Sequence, residues 1–249
     1  MKVVSFQPEH RHLPHPDAGV SRREFLLFLL LATGAVTVGS RGRLEAAPGP
    51  ATAGRPKGWP TRQNPLASDL KTGTVAMYTE LSLRRLTETT THWGIGCGAG
   101  KLAEKFILVS PVEPAALHDA LVRIGARPGN NLALDSYGKI VEGDALALTA
   151  QWPGLPREAA VGDLFYDASG KGFRIRFGGN RRAAVEQGTG CLTCLESCPV
   201  GITSNAVYPH LSTARRMFRP NSRFRGRPEF LPAREAFPIV VFYRLAGRG

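Results

Sequence analysis

The stretch 190-GCLTCLESCPVGITSN-205 places three cysteines within eight residues, and a proline follows the last of them. The chain has one further cysteine, Cys97. Closely spaced cysteines are typical of a metal site, of a disulfide framework or of a reactive thiol site. The choice among these depends on the compartment in which the chain folds, and the amino terminus bears on that.

The amino terminus has the layout of an export signal. Arg22 and Arg23 precede an apolar, uncharged run over residues 25–38, which is shorter than the roughly 20 residues that span a bilayer as a helix. The paired arginines before Phe-Leu resemble the twin-arginine (Tat) class of signal. That resemblance implies export of a folded protein through the Tat translocon to a periplasmic or extracytoplasmic site, with attachment to the membrane if the signal is not cleaved. It also implies that the thiols are reduced during folding and available to a metal.

Composition divides the chain into three parts. Residues 1–47 are expected to be the signal peptide or anchor, and residues 48–65 form a Pro/Gly-rich linker with too little apolar surface to fold. Residues 66–249 are expected to form a single globular domain. The whole chain of 249 residues carries a net charge of +12 and is 43% hydrophobic, which is a globular composition.

Basic residues are concentrated near the carboxyl terminus. No acidic residue occurs over 197–228, a stretch that contains Arg215, Arg216, Arg219, Arg223, Arg225 and Arg227. Such a tract is typical of a solvated loop, of a nucleic-acid site, or of a surface that docks an acidic partner. Because export makes nucleic acid an unsuitable partner, we expect docking to a redox partner protein with an acidic surface.

Hydrophobic periodicity predicts an α+β fold built mainly on an antiparallel sheet, with the cysteine-rich segment as a loop. Alternation of period two, punctuated by glycine and proline, predicts strands over 72–79, 91–96, 105–109, 139–142, 145–151, 159–166, 173–177 and 239–245. One clear helix is predicted over 113–125, with a proline in its first turn and Leu117, Leu121 and Ile124 on one face.

The cysteine spacing favours an iron–sulfur cluster. Cys191-x2-Cys194-x3-Cys198-Pro199 reproduces the last three cysteines and the proline of the bacterial ferredoxin run. Short intervals let one loop present three thiolates to a compact cluster, most simply [4Fe–4S]. A fourth ligand is then required, and Cys97 is the remaining cysteine, with glycines on both sides that permit close approach of its backbone.

Other chemistries stay open at this point. A structural zinc ion on the same four cysteines, two disulfides without any metal, and a thiol–disulfide redox pair at Cys191 and Cys194 are all compatible with the count. His92 and His210 are candidates to hydrogen-bond the ligating cysteines, although a lone histidine is more often an ordinary half-buried residue. The acids show no spacing typical of a hydrolase or transferase, so we expect no catalytic residues.

Three motifs together resemble the YdjY-domain family of exported, ferredoxin-like proteins. They are LHDALVRIGARPGNN (117–131), RFGGN (176–180) and GCLTCLESCPVGITSN (190–205), and the likeness extends from about residue 64 to the carboxyl terminus. The resemblance implies a periplasmic iron–sulfur role, with Cys191, Cys194 and Cys198 as the cysteines that match the family motif.

The sequence therefore predicts an exported iron–sulfur protein that transfers single electrons between periplasmic partners. An electron carrier or accessory subunit is favoured over a stand-alone enzyme. The alternative is a non-redox extracytoplasmic binding or accessory module that two disulfides stabilise.

Overall fold

The described part of the chain is mainly β-structure. The computed structural model describes residues 58–213 and 223–247. Its strands are β1 (Leu66–Asp69), β2 (Thr74–Leu81), β3 (Trp93–Cys97), β4 (Leu108–Ser110), β5 (Ala145–Gln151), β6 (Ala159–Ala160), β7 (Phe165–Asp167), β8 (Ile175–Phe177), β9 (Cys191–Cys194), β10 (Thr203–Asn205), β11 (Phe224–Gly226) and β12 (Pro238–Leu245). Its helices are α1 (Leu83–Thr87), α2 (Pro114–Arg123), α3 (Val161–Leu164) and α4 (Arg181–Gln187), with a 3₁₀ turn at Ala103–Lys105.

Eight of these strands form a closed sheet. They follow the order β2-β12-β5-β8-β10-β9-β3-β4, and β4 pairs back with β2 to complete the ring. β1 extends the sheet beside β2, β6 pairs with β5, and β7 and β11 form a separate two-stranded sheet. Closure gives each strand of the ring a partner on both sides, which removes the exposed edges of an open sheet.

The expected α+β class is wrong, and the sheet that was expected to be mainly antiparallel is partly mixed. The longest helix among the described residues, α2, has ten residues and the others have seven or fewer, so helices do not form a layer of their own. The sheet is mixed, because β3 pairs with β4 and β9 pairs with β10 in parallel. A closed sheet packs its own inward side chains against each other and needs little helical cover.

Local patterns predicted some elements well and others poorly. The strand predicted over 145–151 is present as β5 with the same bounds, and the predicted helix is present as α2. The strand predicted over 159–166 is interrupted by α3. The strand predicted over 139–142 is absent, because the Asn131 side chain bonds the Ile140 carbonyl and the Glu142 N–H in place of a partner strand.

Side chains of the parallel pair β9–β10 lie alternately on the two faces of the sheet. Thr193 and Thr203 are opposite each other, their hydroxyls are 2.8 Å apart, and Thr193 also bonds the Tyr243 hydroxyl at 2.9 Å. These three side chains are fully buried. Because side chains alternate along a strand, the next pair, Cys194 and Ser204, lies on the opposite face.

The amino-terminal predictions fall mostly outside the described residues. The signal arginines Arg22 and Arg23 lie outside them. Three arginines of the carboxyl-terminal basic tract, Arg215, Arg216 and Arg219, also lie outside the described residues. The described end of the predicted linker packs on the sheet, since the Trp59 ring meets Phe242 edge-on at 6.2 Å between centroids. Within 58–213 and 223–247, no helix is long and apolar enough to cross a membrane.

Candidate metal centre

Three of the four cysteines meet at one point of the fold. Cys191 and Cys194 begin and end β9, and Cys198 lies in the loop that leads to β10. Their sulfur atoms all lie within 4.8 Å of one another. The three residues are 1%, 0% and 5% exposed, so the sulfurs face a site that bulk water does not fill.

Side-chain hydrogen bonds to the backbone hold the cysteine loop, residues 195–202 between β9 and β10, in place. The Asn205 amide donates to the Leu195 carbonyl at 3.2 Å, and the Asn180 amide donates to the Cys198 carbonyl at 3.1 Å. The Ser197 hydroxyl accepts the Val141 N–H at 3.0 Å. Because buried loop amides and carbonyls must find partners, these side chains take the place of a strand partner and fix the loop.

Apolar side chains cover the three cysteines. Phe106 and Val200 pack with them in one buried cluster, and Trp93, Leu102, Val109 and Ala183 close it from the partly exposed side. Gly96 leaves room for this packing, since a Cβ there would lie 2.1 Å from the Phe106 ring. Such surroundings lower the local dielectric and strengthen any charge interaction at the sulfurs.

Hydrogen bonds among the three thiols shift their pKa values in opposite directions. Hydrogen bonds from Cys194 and Cys198 hold the pKa of Cys191 well below its usual range. The same bonds to Cys191, together with burial, raise the pKa of Cys194 and of Cys198 well above theirs. Three buried thiolates would require a cation to balance their charge. The donor set fits a thiophilic metal ion or an iron–sulfur cluster.

Cys97 lies outside the group of three cysteines. In the β3–β9 register, Gly96 and not Cys97 is opposite Cys191, and the register shifts between Ile95 and Gly96. Cys97 lines a separate cavity of about 190 Å³ with Gly100, Ala184 and residues at the start of α2. The role of Cys97 as a fourth ligand stays a prediction, and the structure does not place its side chain with the other three.

Glu196 is a buried acid that the sequence analysis missed. It is 1% exposed, and its carboxylate accepts the Thr213 hydroxyl at 2.6 Å and the Thr213 N–H at 3.0 Å. Its other oxygen lies 3.3 Å from His92 Nδ1. A lone acid inside the apolar run CLTCLESCP was the available signal, because such a residue is rarely buried without partners.

The two predicted histidines occupy different positions. His92 contacts Glu196 and Thr91 rather than a sulfur, and its carbonyl accepts the Leu195 N–H at 2.7 Å. His210 is buried, and its ring nitrogens lie 3.3 Å from the Ser197 carbonyl and 3.4 Å from the Leu134 carbonyl. Both histidines therefore contact the cysteine loop through its backbone or through Glu196.

Two of the three described arginines of the basic tract, Arg225 and Arg227, have an acidic neighbour. Arg227 lies 2.9 Å from Glu229, and Arg225 lies 3.7 Å from the same carboxylate and over the Tyr166 ring. Arg223 is exposed. Local pairing reduces the positive charge that this part of the tract offers to a partner.

Comparison with known proteins identifies the family. The YdjY domain model matches residues 66–244. The chain is 35% identical over 183 residues to the uncharacterized protein YdjY of Escherichia coli (strain K12), an alignment that covers 73% of this chain and 80% of that protein. No solved structure matches the chain. The chain belongs to the YdjY domain family.

Proposed function

We propose that the protein is an exported iron–sulfur protein that carries single electrons between periplasmic partners. The observation that carries the proposal is the convergence of Cys191, Cys194 and Cys198 among buried apolar side chains. Their spacing and the following proline match those of a ferredoxin run. When bound, a [4Fe–4S] cluster supplies a one-electron couple.

The residues of this chain bind and enclose the centre. The three thiolates would be its ligands, and Phe106 and Val200, which pack with the cysteines, would shield it from water. Asn180 and Asn205 hold the loop, which keeps Cys198 beside β9. A fixed loop and apolar surroundings would limit the rearrangement that accompanies a change in charge, which suits an electron carrier.

Export and docking belong to the same proposal. The Arg22-Arg23 signal motif supports export by the Tat pathway, and the basic tract supports a partner with an acidic surface. In that tract Arg223 is the described arginine that is exposed, whereas Arg225 and Arg227 also meet Glu229.

A single metal ion such as zinc is the second candidate. In a cubane each cysteine binds a different iron, so the ligand sulfurs stand farther apart than three thiolates on one ion. Sulfur separations of 4.8 Å or less are compatible with three bonds of about 2.3 Å to one zinc ion. A protein that holds a single zinc ion would have a structural or accessory role in place of electron transfer.

Metal analysis separates the candidates. The full chain would be purified without oxygen from the cytoplasm, and iron, zinc, acid-labile sulfide and free thiols would be measured per chain. About four irons and four sulfides per chain support the cluster. Fewer than four irons per chain, together with sulfide, indicate an incomplete cluster. One zinc without sulfide supports the single ion. Protein exported to the periplasm without metal or free thiols would instead favour disulfides and overturn both metal readings.

A further inference from the structure

Cys194 is flanked in the sheet by two side chains with hydrogen-bond donors. The parallel pairing places Ser204 opposite Cys194 on one side, and the β3–β9 pairing places Trp93 opposite it on the other. Register partners on neighbouring strands project to the same face. Trp93, Cys194 and Ser204 therefore form a row across three strands on the face that carries the cysteine group.

Contacts confirm that this row is compact. Trp93 packs against the cluster that contains the three cysteines. A Cβ on Gly201 would lie 2.9 Å from the Ser204 hydroxyl oxygen and 3.0 Å from the Cys194 sulfur. The bare Gly201 backbone thus keeps open a small volume that both the hydroxyl and the sulfur border.

Both donors are buried without a partner. The Trp93 indole N–H and the Ser204 hydroxyl have no hydrogen-bond partner among the described residues, although both polar atoms are inaccessible to solvent. By contrast, Thr193, Thr203 and Tyr243, on the opposite face, bond one another. An unpaired buried donor costs about 1–3 kcal/mol, so a pair of them beside three thiols points to an acceptor other than an atom of residues 58–213 and 223–247.

We propose that Trp93 and Ser204 donate hydrogen bonds to the sulfur atoms of the metal centre that the three cysteines hold. The proposal rests on the metal centre of the proposed function, and it applies equally to a cluster and to a single ion. An indole N–H is a donor only, and a hydroxyl is a donor toward an anionic acceptor. Thiolate and sulfide are the anionic acceptors that such a centre offers.

The expected effect is a change in the electronic properties of the centre. Hydrogen bonds to sulfur draw electron density from it and favour the more negatively charged, reduced state, so they raise the reduction potential. They also stabilise the sulfur lone pairs, which moves sulfur-to-metal charge-transfer bands to shorter wavelength. Removal of a donor reverses both shifts without removing a ligand.

The test uses cobalt(II) as a spectroscopic probe. The reduced full chain would be titrated with cobalt(II) without oxygen, and the charge-transfer bands of Ser204→Ala and Trp93→Phe would be compared with wild type. We expect each band to move to longer wavelength at unchanged stoichiometry, with the double variant shifted furthest. Ser212→Ala, which removes another unpartnered buried hydroxyl, is the matched control and should leave the bands unchanged. Ser204→Thr retains the hydroxyl and should restore the wild-type spectrum.

The outcomes distinguish this proposal from the identity of the native metal. Bands that coincide with wild type in both single variants would overturn it, and if Ser204→Ala does not fold, Trp93→Phe decides alone. If the isolated protein contains no iron or sulfide, the iron–sulfur cluster is excluded as the native centre. The cobalt result still tests the two hydrogen bonds. Wild-type protein that fails to bind cobalt would remove the metal centre and this proposal together.

Discussion

Cys97 and Cys191 lie on neighbouring strands, yet the register places Gly96 opposite Cys191. The Cys97 N–H bonds the carbonyl of Gly190, the residue before Cys191, at 2.8 Å. The register shifts between Ile95 and Gly96, next to Cys97. The Cys97 backbone is therefore close to the start of β9, whereas its side chain lines a cavity with Gly100 and Ala184.

Single cysteine replacements should separate the ligands from Cys97. Cys191→Ser, Cys194→Ser and Cys198→Ser each replace a thiolate in the group of three, and we expect each to lose most of the bound metal. Cys97→Ser should retain it, because its side chain lies outside the group. The metal content per chain after anaerobic purification measures the loss in the three variants and the retention in Cys97→Ser. Equal loss in Cys97→Ser would restore Cys97 as the fourth ligand.

Gly201→Ala should damage the site by crowding. Its Cβ would lie 3.0 Å from the Cys194 sulfur and 2.9 Å from the Ser204 hydroxyl oxygen, and overpacking of this kind costs about 1–3 kcal/mol. We expect weaker metal binding and a lower midpoint of denaturant unfolding. Gly162→Ala is the control, since a Cβ there meets nothing within 4 Å. Equal behaviour of the two variants would contradict the crowding.

The Glu196 carboxylate should be important for stability. Glu196→Ala leaves the Thr213 N–H and hydroxyl without their acceptor, and loss of a buried partner costs about 1–3 kcal/mol. Glu196→Gln keeps an acceptor oxygen and should cost less. Urea unfolding gives the free energies. Glu186→Gln is the surface control, because Glu186 and Arg182 are both exposed and 3.7 Å apart, and such pairs contribute about 0–1 kcal/mol.

Acid should weaken the pairing between β5 and β12. A hydrogen bond from Arg244, assisted by Thr149, lowers the pKa of Glu158 below its ordinary 4.5. A carboxyl with a lowered folded-state pKa stabilises the fold above its unfolded pKa, and this contribution is lost as pH falls through the folded value. Unfolding free energy should therefore fall less steeply below about pH 5 in Glu158→Gln than in wild type. Parallel curves would show that the ion pair contributes nothing.

The basic tract should act through long-range charge. We expect that replacing Arg223, Arg225 and Arg227 by glutamine slows oxidation of the reduced centre by ferricyanide, an anionic oxidant, at low ionic strength. High salt should remove the difference, because it screens exposed charges beyond about 10 Å at 0.1 M. Stopped-flow absorbance measures the rate. A rate that responds neither to the substitutions nor to salt would remove the docking surface.

The features that the sequence predicted correctly are those that depend on residues close together in the chain. Period-two alternation gave the bounds of β5, and a proline with spaced leucines gave α2, since both patterns are complete within about ten residues. The cysteine spacing likewise indicated which three thiols belong together. Glu196 was missed because its partner Thr213 is 17 residues away, and no local pattern links the two.

The three-cysteine motif and the local elements could be predicted from the sequence, because they depend on neighbours in the chain. Closure of the sheet depends instead on the pairing of β2 with β4 and on the parallel pairing of β9 with β10, which join distant segments. The same long-range pairing left Cys97 outside the group of three cysteines and set Trp93 and Ser204 beside Cys194. Strand register depends on contacts between distant segments, and a displacement of one residue reverses which side chains meet.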